Sequence, residues 1–296
     1  HWYVEQLYSK IYDSEKAPFT LPKEYYGISL DHSLVYPESG EVVELKDALK
    51  RFTYDPKTTT FSNMGDSVKV LLNNSFKITS GENVFSFTIP LDEQQRMRYL
   101  QRNELMLLDI LATNAFKRPI YTMSPQYFAN IIPNINDYIK QEGIVYRIMP
   151  TMERGSLDID KTYNLFMNKF QWGGINNPNT YLEDAVTVNN TRNMRQQYMN
   201  LAKGLTQQGE KTKALQVLDK ALYHFPSSKI YFDKYDLQLA AQFCDAGNIK
   251  KGEEIFNQVT DLYINNLKYF NRFNGKKARS VASARTEALQ VLALIS

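Results

Sequence analysis

From Arg192 onward the chain reads as helix only, and its small residues recur where two helices must cross closely. In "YMNLAKGLTQQGEKTKALQVLDKALYHFP", Tyr198, Leu201, Ala202 and Leu205 fall on one helical face. Gly209 marks a turn. Ala214, Leu218 and Ala221 mark a second helix, and Pro226 ends it. Such a hairpin cannot bury its apolar face alone, so it demands a neighbour. A second unit supplies one after a slightly longer loop. Leu239, Ala240 and Phe243 lie on its first helix, Gly247 at its turn, and Gly252, Phe256 and Val259 on its second. A last helix over 276–295 carries Val281, Ala284, Ala288, Val291 and Leu292, and is expected to cap the stack.

The first half follows a different rule. "WYVEQLYSKIY" (2–12) puts Trp2, Leu7, Tyr8 and Ile11 near one helical face. "EVVEL" (41–45) reads as a short strand and "LKDALKRF" as a helix after it. "SFKITSGENVFSFTIP" (75–90) alternates apolar and polar residues on both sides of Ser80-Gly81-Glu82-Asn83, the pattern of a hairpin. Residues 91–114 read as one long helix, with Asp92 as N-cap and Met97, Leu100, Leu107, Leu108 and Leu111 on its apolar face. Pro119 cannot continue that helix, and Lys117 and Arg118 sit where cations complement its C-terminal dipole. "PIYTM" reads as a buried strand, with a short helix near 125–132. In "DYIKQEGIVYRIMP" (137–150) a helix is expected to stop at Gly143 and a strand to follow over 144–149. Residues 151–190 are loop-rich, with one helix around 161–170. The order predicts an α+β fold, an α/β layer with a mixed sheet and a β-hairpin, followed by an all-α helical repeat. The expected division is 1–185 and 186–296.

Composition excludes several classes. A net charge of +3 without a block of like charges does not fit a nucleic-acid binder. Cys244 is the single cysteine, so no intrachain disulfide forms. His1, His32 and His224 are too scattered for a multi-histidine zinc site. No apolar run approaches the ~20 residues of a membrane span. The chain starts at His1 without methionine, which reads as a cut inside a longer protein.

Motifs for chemistry are sparse. Asp31-His32 has no nucleophile nearby in sequence. Asp158 and Asp160 follow a turn and fit a solvated loop better than a cation site. The glycines form no phosphate-cradling loop, and "GKK" at 275–277 lacks the rest of a P-loop, so no cofactor is expected. Arg118 and Arg147 both flank strands after expected helix ends. If those strands are neighbours, two guanidinium groups could hold an anion. The competing reading has each capping carbonyls or pairing with Asp109 or Glu142. "DSV" (66–68), "NNS" (73–75) and "NNT" (189–191) fit short glycosylation patterns that also arise by chance.

The helical units resemble the tetratricopeptide repeat, and the match covers each small-residue position of the first unit. "LMLLDILATNAFKRPIYTM" and "DYIKQEGIVYRIMP", with "WYVEQLYSKIYDS", "NKFQWGGINNPNTYLED" and "NTRNMR", resemble a family of bacterial multi-spanning membrane proteins. That family is similar to transmembrane protein O-mannosyltransferases with a C-terminal tetratricopeptide region. The resemblance implies a catalytic membrane part that binds a polyprenyl-phosphate sugar and is absent from these 296 residues. It implies an extracytoplasmic position beside the inner membrane. The implied partners are the protein's own transmembrane region and an acceptor polypeptide. Its family-like residues are Trp2, Tyr3, Asn114, Arg118, Pro119, Tyr121, Gly143, Tyr146 and Arg147. Trp2, Tyr3, Asn114, Arg118, Tyr146 and Arg147 are the candidate site residues, as an anion contact or as a wall beside a membrane active site. The helical groove either binds a polypeptide or only buttresses its neighbour. A free-standing scaffold protein is the alternative, and a soluble enzyme acting on an anion through Arg118 and Arg147 a third.

Overall fold

The computed structural model describes residues 20–22, 33–61, 67–94, 96–182 and 185–295. The expected helix over 2–12, Trp2, Tyr3, Asp31-His32 and Asp66 lie outside the described residues. By contacts the chain divides into two compact units, one of residues 1–141 with 145–156 and one of residues 142–144 with 157–296. The composition boundary at 185/186 falls at the start of a long helix instead. Residues 157–182 group with the helices that follow because Phe166, Phe170 and Trp172 pack into their core. The ring of Phe166 lies 4.6 Å from that of Tyr198.

The first unit is α+β. Strand β1 (Ser33–Val35) pairs parallel with a later strand and antiparallel with another, so its sheet is mixed. β2 (Val42–Glu44) runs directly into helix α1 (Leu45–Tyr54). Leu45, Ala48, Leu49 and Phe52 follow the helical period and are all buried. β3 (Thr59–Phe61) and β4 (Ser67–Leu71) pair antiparallel at the edge of the β1 sheet. β5 (Ser75–Ser80) and β6 (Asn83–Thr88) form the expected hairpin, closed by two residues with Gly81 at φ 61°. β2 joins β5 in parallel and completes a three-stranded sheet. Phe76, Ile78, Phe85 and Phe87 point inward and form much of the core.

Two expected helices are shorter or absent. Residues 91–94 and 96–101 are not helical. Asp92 closes a turn with Met97 and Arg96, and Arg96 has φ 52°, which ends any helical run. Residues 98–100 form β7 (Arg98–Leu100), paired antiparallel with β1. Helix α2 (Arg102–Asn114) starts only there, behind a capping box in which Glu104 answers Gln101. β1 supplies a free edge at a distance in sequence, so Met97 and Leu100 do not serve the helix. Likewise no helix runs up to Gly143, since a single 3-10 turn (Ile135–Tyr138) gives way to strand. β8 (Ile120–Thr122) is followed by a short helix, α3 (Gln126–Ala129). Residues 139–142 then form β9 (Ile139–Glu142), a hairpin partner of β10 (Val145–Ile148). Gly143, at φ 67°, makes the hairpin turn rather than a helix end. "PIYTM" is only half buried. Tyr121 is 43% exposed and Met123 63%, while Thr122 faces inward.

The second unit is all helix. α4 (Ile159–Asn164), capped by Asp158, continues as a wide helical turn to Lys169. α5 (Ala185–Gln207) and α6 (Lys211–His224) form the first hairpin, and α7 (Leu237–Asp245) and α8 (Ile249–Phe270) the second. Gly209 and Gly247 turn the two hairpins at φ 83° and 104°. Each apolar residue expected in the first hairpin is buried. In the second, Ile255 rather than Phe256 faces the core, a shift of one residue around the helix. The expected final helix breaks at Val281 into α9 (Gly275–Ser280) and α10 (Ala282–Ile295), which packs on α8 through Ala288 and Val291. Ala284 stays exposed.

Gly252 has a specific reason to lack a side chain. A Cβ there would stand 2.3 Å from the Cys244 Sγ and 2.7 Å from the Ala240 carbonyl oxygen. Alanine favours helix over glycine by about 1 kcal/mol. Gly252→Ala is nonetheless expected to destabilise the unit by about 1–3 kcal/mol, because α7 and α8 must move apart. The denaturation midpoint reads the sign.

His224 at the end of α6 is partly buried. Burial first, and Lys220 second, lower its pKa below the ordinary value. As pH falls, the unfolded chain takes up this proton before the folded one. The stability held above the ordinary histidine range, about 6.5, is therefore lost as pH falls through the folded pKa. His224→Gln is expected to flatten that part of a pH–stability curve measured by denaturant.

Candidate functional site

Two of the six sequence-based candidates, Asn114 and Arg118, lie at the end of α2, and Tyr146 and Arg147 lie on β10. Ala115 and Phe116 both adopt left-handed backbone, at φ 42° and 59°, and turn the chain out of the helix. Asn114 brackets the result. Its Nδ2 donates to the Arg118 carbonyl at 2.7 Å, and its Oδ1 accepts from the Arg118 amide at 2.9 Å. Asn114 is buried, so this double bond fixes the corner that feeds β8. Asn114 is thus a structural staple. The Lys117 and Arg118 side chains stand at the exposed surface.

β8 and β10 are neighbours, paired antiparallel. The register sets Arg147 opposite Tyr121 and Tyr146 opposite Thr122. Arg118 precedes Tyr121 by three residues, so the two arginines are not directly opposed. Two acids expected as their partners have other duties as well. Asp109 is fully buried and accepts from the Thr20 amide at 2.9 and 3.0 Å, the Leu21 amide at 2.9 Å and the Thr113 hydroxyl at 3.0 Å. Glu142 pairs with Lys161. Asp158 accepts from the Lys161 amide as a helix cap, which accounts for that acid without a cation. Among the described residues no group of His, Cys, Asp or Glu has metal-site spacing. A cavity of about 440 Å³ in this unit is bounded by Val42, Phe76, Phe87, Thr88, Pro133 and Asn134, with no ionisable side chain. Asn73 of "NNS" is buried, and "NNT" lies inside α5.

Sequence reasoning missed the main electrostatic feature of the second unit. Arg195, the last residue of "NTRNMR", is 1% exposed. Its guanidinium donates to Asp236 at 2.8 Å and to the carbonyls of Phe225 and Ile230 at 3.0 and 2.7 Å. It also lies over the Phe232 ring, 5.1 Å from the centroid. Asp236 in turn caps the turn at Asp233, and Arg192 stands 3.1 Å from Asp233. Burial raises the Asp233 pKa, against the opposing pull of the Tyr235 amide and Arg192. This network ties α5 to the loop that begins the second hairpin. Arg195 lies three residues before Tyr198, in line with the expected apolar face, but its charge pointed to solvent rather than to burial.

A family model, TMEM260-associated domain 2, matches residues 1–165. The chain belongs to this family. No curated protein and no solved structure matches the chain. The TMEM260-associated domain 2 span contains all six candidate residues, including Trp2 and Tyr3, and the whole β8–β10 layer. It ends at Leu165, where α4 passes into the wide turn, before the two long hairpins begin. Among the described residues, no helix is long and apolar enough to cross a membrane.

Proposed function

We propose that this chain is the extracytoplasmic, non-catalytic region of a membrane-embedded, lipid-sugar-dependent glycosyltransferase-like protein. It positions an acceptor polypeptide or stabilises the membrane part. The observation that carries this reading is the TMEM260-associated domain 2 match over residues 1–165. The resemblance to transmembrane O-mannosyltransferases with a C-terminal tetratricopeptide region gives the match its chemistry. The domain organisation fits a division of labour. The α+β unit would face the membrane part, with Arg118, Tyr146 and Arg147 at its wall, and the helical unit would face the acceptor.

The deciding experiment compares glycan transfer by the membrane part with and without residues 1–296. Loss of transfer on deletion, restored by supplying the region, supports the reading. Full transfer by the membrane part alone sinks it. The second reading is a stand-alone helical-repeat scaffold, favoured by the two hairpins alone. Reading the coding sequence upstream of His1 separates the two, since many apolar spans of about 20 residues belong only to the first.

A further inference from the structure

An open cavity of about 310 Å³ lies in the α+β unit where β2 runs into α1. Val42, Val43 and Ala48 give it an apolar lining. Its polar lining comes from Glu41 and Glu44 around β2, Asp47 and Arg51 of α1, and Asn73 and Lys77 beside and within β5. Lys77 stands opposite Glu44 in the parallel pairing of β2 with β5. Glu44 nonetheless accepts from the hydroxyl and the amide of Thr79. Half-buried Lys77 is left with no ion pair and no side-chain hydrogen bond among the described residues, and so are Glu41 and Asp47. Opposite charges therefore line one cavity without closing on each other.

Asn73 sets this cavity apart from a solvated charged rim. Charges on an edge strand such as β2 discourage pairing with another chain, which accounts for Glu41 and Glu44 but not for an enclosed carboxamide. Asn73 is 6% exposed and lines the cavity, and its side chain makes no hydrogen bond among the described residues. Its amide atoms keep accessible surface, whereas those of Gln242 in α7, also without partners, are sealed. A buried amide left unpaired is unfavourable, and a leucine of similar size would avoid the cost. The charges narrow the ligand. A simple cation or anion would meet like charge as well as unlike on this lining, and among the described residues no group of acids has metal-site spacing. A hydroxyl donates to a carboxylate and accepts from an ammonium or an amide, so a molecule with several hydroxyls satisfies both signs at once. The C–H faces of a saturated ring suit Val42, Val43 and Ala48. The volume is near the lower end for small-molecule sites, about 300–1,000 Å³, which fits one ring rather than a chain.

We propose that the cavity between β2 and α1 binds a neutral polyhydroxylated ring, a single sugar residue. Lys77 and the Asn73 amide donate to its oxygens, and Glu41 and Asp47 accept from its hydroxyls. Asn73 opens the "NNS" pattern, and here it is a ligand contact rather than a glycan acceptor. The inference concerns the α+β unit alone. It goes beyond the acceptor-positioning reading, which a failure here leaves untouched.

The test uses the 296-residue chain and saturation-transfer NMR with glucose, mannose, galactose, N-acetylglucosamine and the methyl α-glycoside of each. The expected result is saturable binding of at least one of them in the millimolar range, as befits so small a ligand in an open site. Binding of free sugar and glycoside alike assigns the site to the terminal residue of a glycan, and binding of the free sugar alone to a free sugar. Either supports the proposal. Asn73→Leu is expected to weaken binding about ten-fold or more with an unchanged or higher melting temperature. Lys77→Met is expected to act in the same direction without lowering the melting temperature, because Lys77 has no partner to lose, and it decides the matter if Asn73→Leu does not fold. No saturable binding of any sugar overturns the proposal. So does displacement of the sugar by an equal concentration of glycine, which assigns the cavity to a zwitterion. Unchanged affinity in a folded Asn73→Leu or Lys77→Met chain overturns it as well, since the sugar then binds elsewhere.

Discussion

Arg195→Ala is expected to lower the stability of the helical unit by about 3–5 kcal/mol. The change removes the donor that satisfies Asp236 and two backbone carbonyls, and it leaves Asp236 buried without its counter-ion. The size of the effect is mostly the penalty on what remains. Removing both partners with apolar residues of similar volume is expected to cost far less, since a buried pair repays its own desolvation only with good geometry. Arg195→Lys is also expected to be costly, because an ammonium cannot reproduce the planar fork that reaches three acceptors. Trp172 sits in the same aromatic cluster, 5.2 Å from the Phe225 ring, and its indole donates to the Tyr198 hydroxyl at 2.8 Å. Denaturant unfolding followed by Trp172 emission in a Trp2→Phe background reads this unit. A loss under 1 kcal/mol would contradict the buried ion-pair account.

Asp109→Ala is expected to destabilise the α+β unit by a similar amount, about 3–5 kcal/mol. Its carboxylate is fully buried and accepts from two backbone amides and a hydroxyl. Hydrogen bonds to a charged group are worth about 1.5–3 kcal/mol each, and the abandoned amides add their own cost. The Thr20 and Leu21 amides lie 89 and 88 residues away in sequence, so this side chain anchors a distant segment onto α2. Asp109→Asn keeps one acceptor and is expected to lose less. Hydrogen exchange at the Thr20 and Leu21 amides checks the mechanism, since both should exchange faster while the β5–β6 hairpin keeps its protection at low denaturant.

Local patterns carried much of the fold. The alternation of Phe76, Ile78, Phe85 and Phe87 around Gly81 determined a hairpin, because period-two burial and a residue tolerant of positive φ act within a few positions. The spacing of Tyr198, Leu201, Ala202, Leu205, Ala214, Leu218 and Ala221 determined a helical hairpin for the same reason. The α+β class followed by helical repeats was legible from these two signals together. The two misread helices have different causes. Residues 98–100 pair with β1, a strand edge far earlier in the chain that no local window contains, whereas residues 139–142 pair with β10 across the Gly143 turn, a local hairpin read as a helix stop.

The site was less legible than the fold. Asn114 and Arg118 stood out in sequence, and the structure shows that the Asn114 side chain staples the Arg118 backbone. Arg147 faces Tyr121 through a register that only the sheet decides. Arg195, Asp236 and Gln242 gave no sequence signal, because burial of a polar side chain is a property of what surrounds it. By itself the sequence determined which faces are apolar, where the glycine turns fall and which family the first 165 residues match. The tertiary structure alone decided which polar groups are enclosed, because hydrogen bonds such as Arg195 to Asp236 and Thr20 to Asp109 join residues 41 and 89 positions apart.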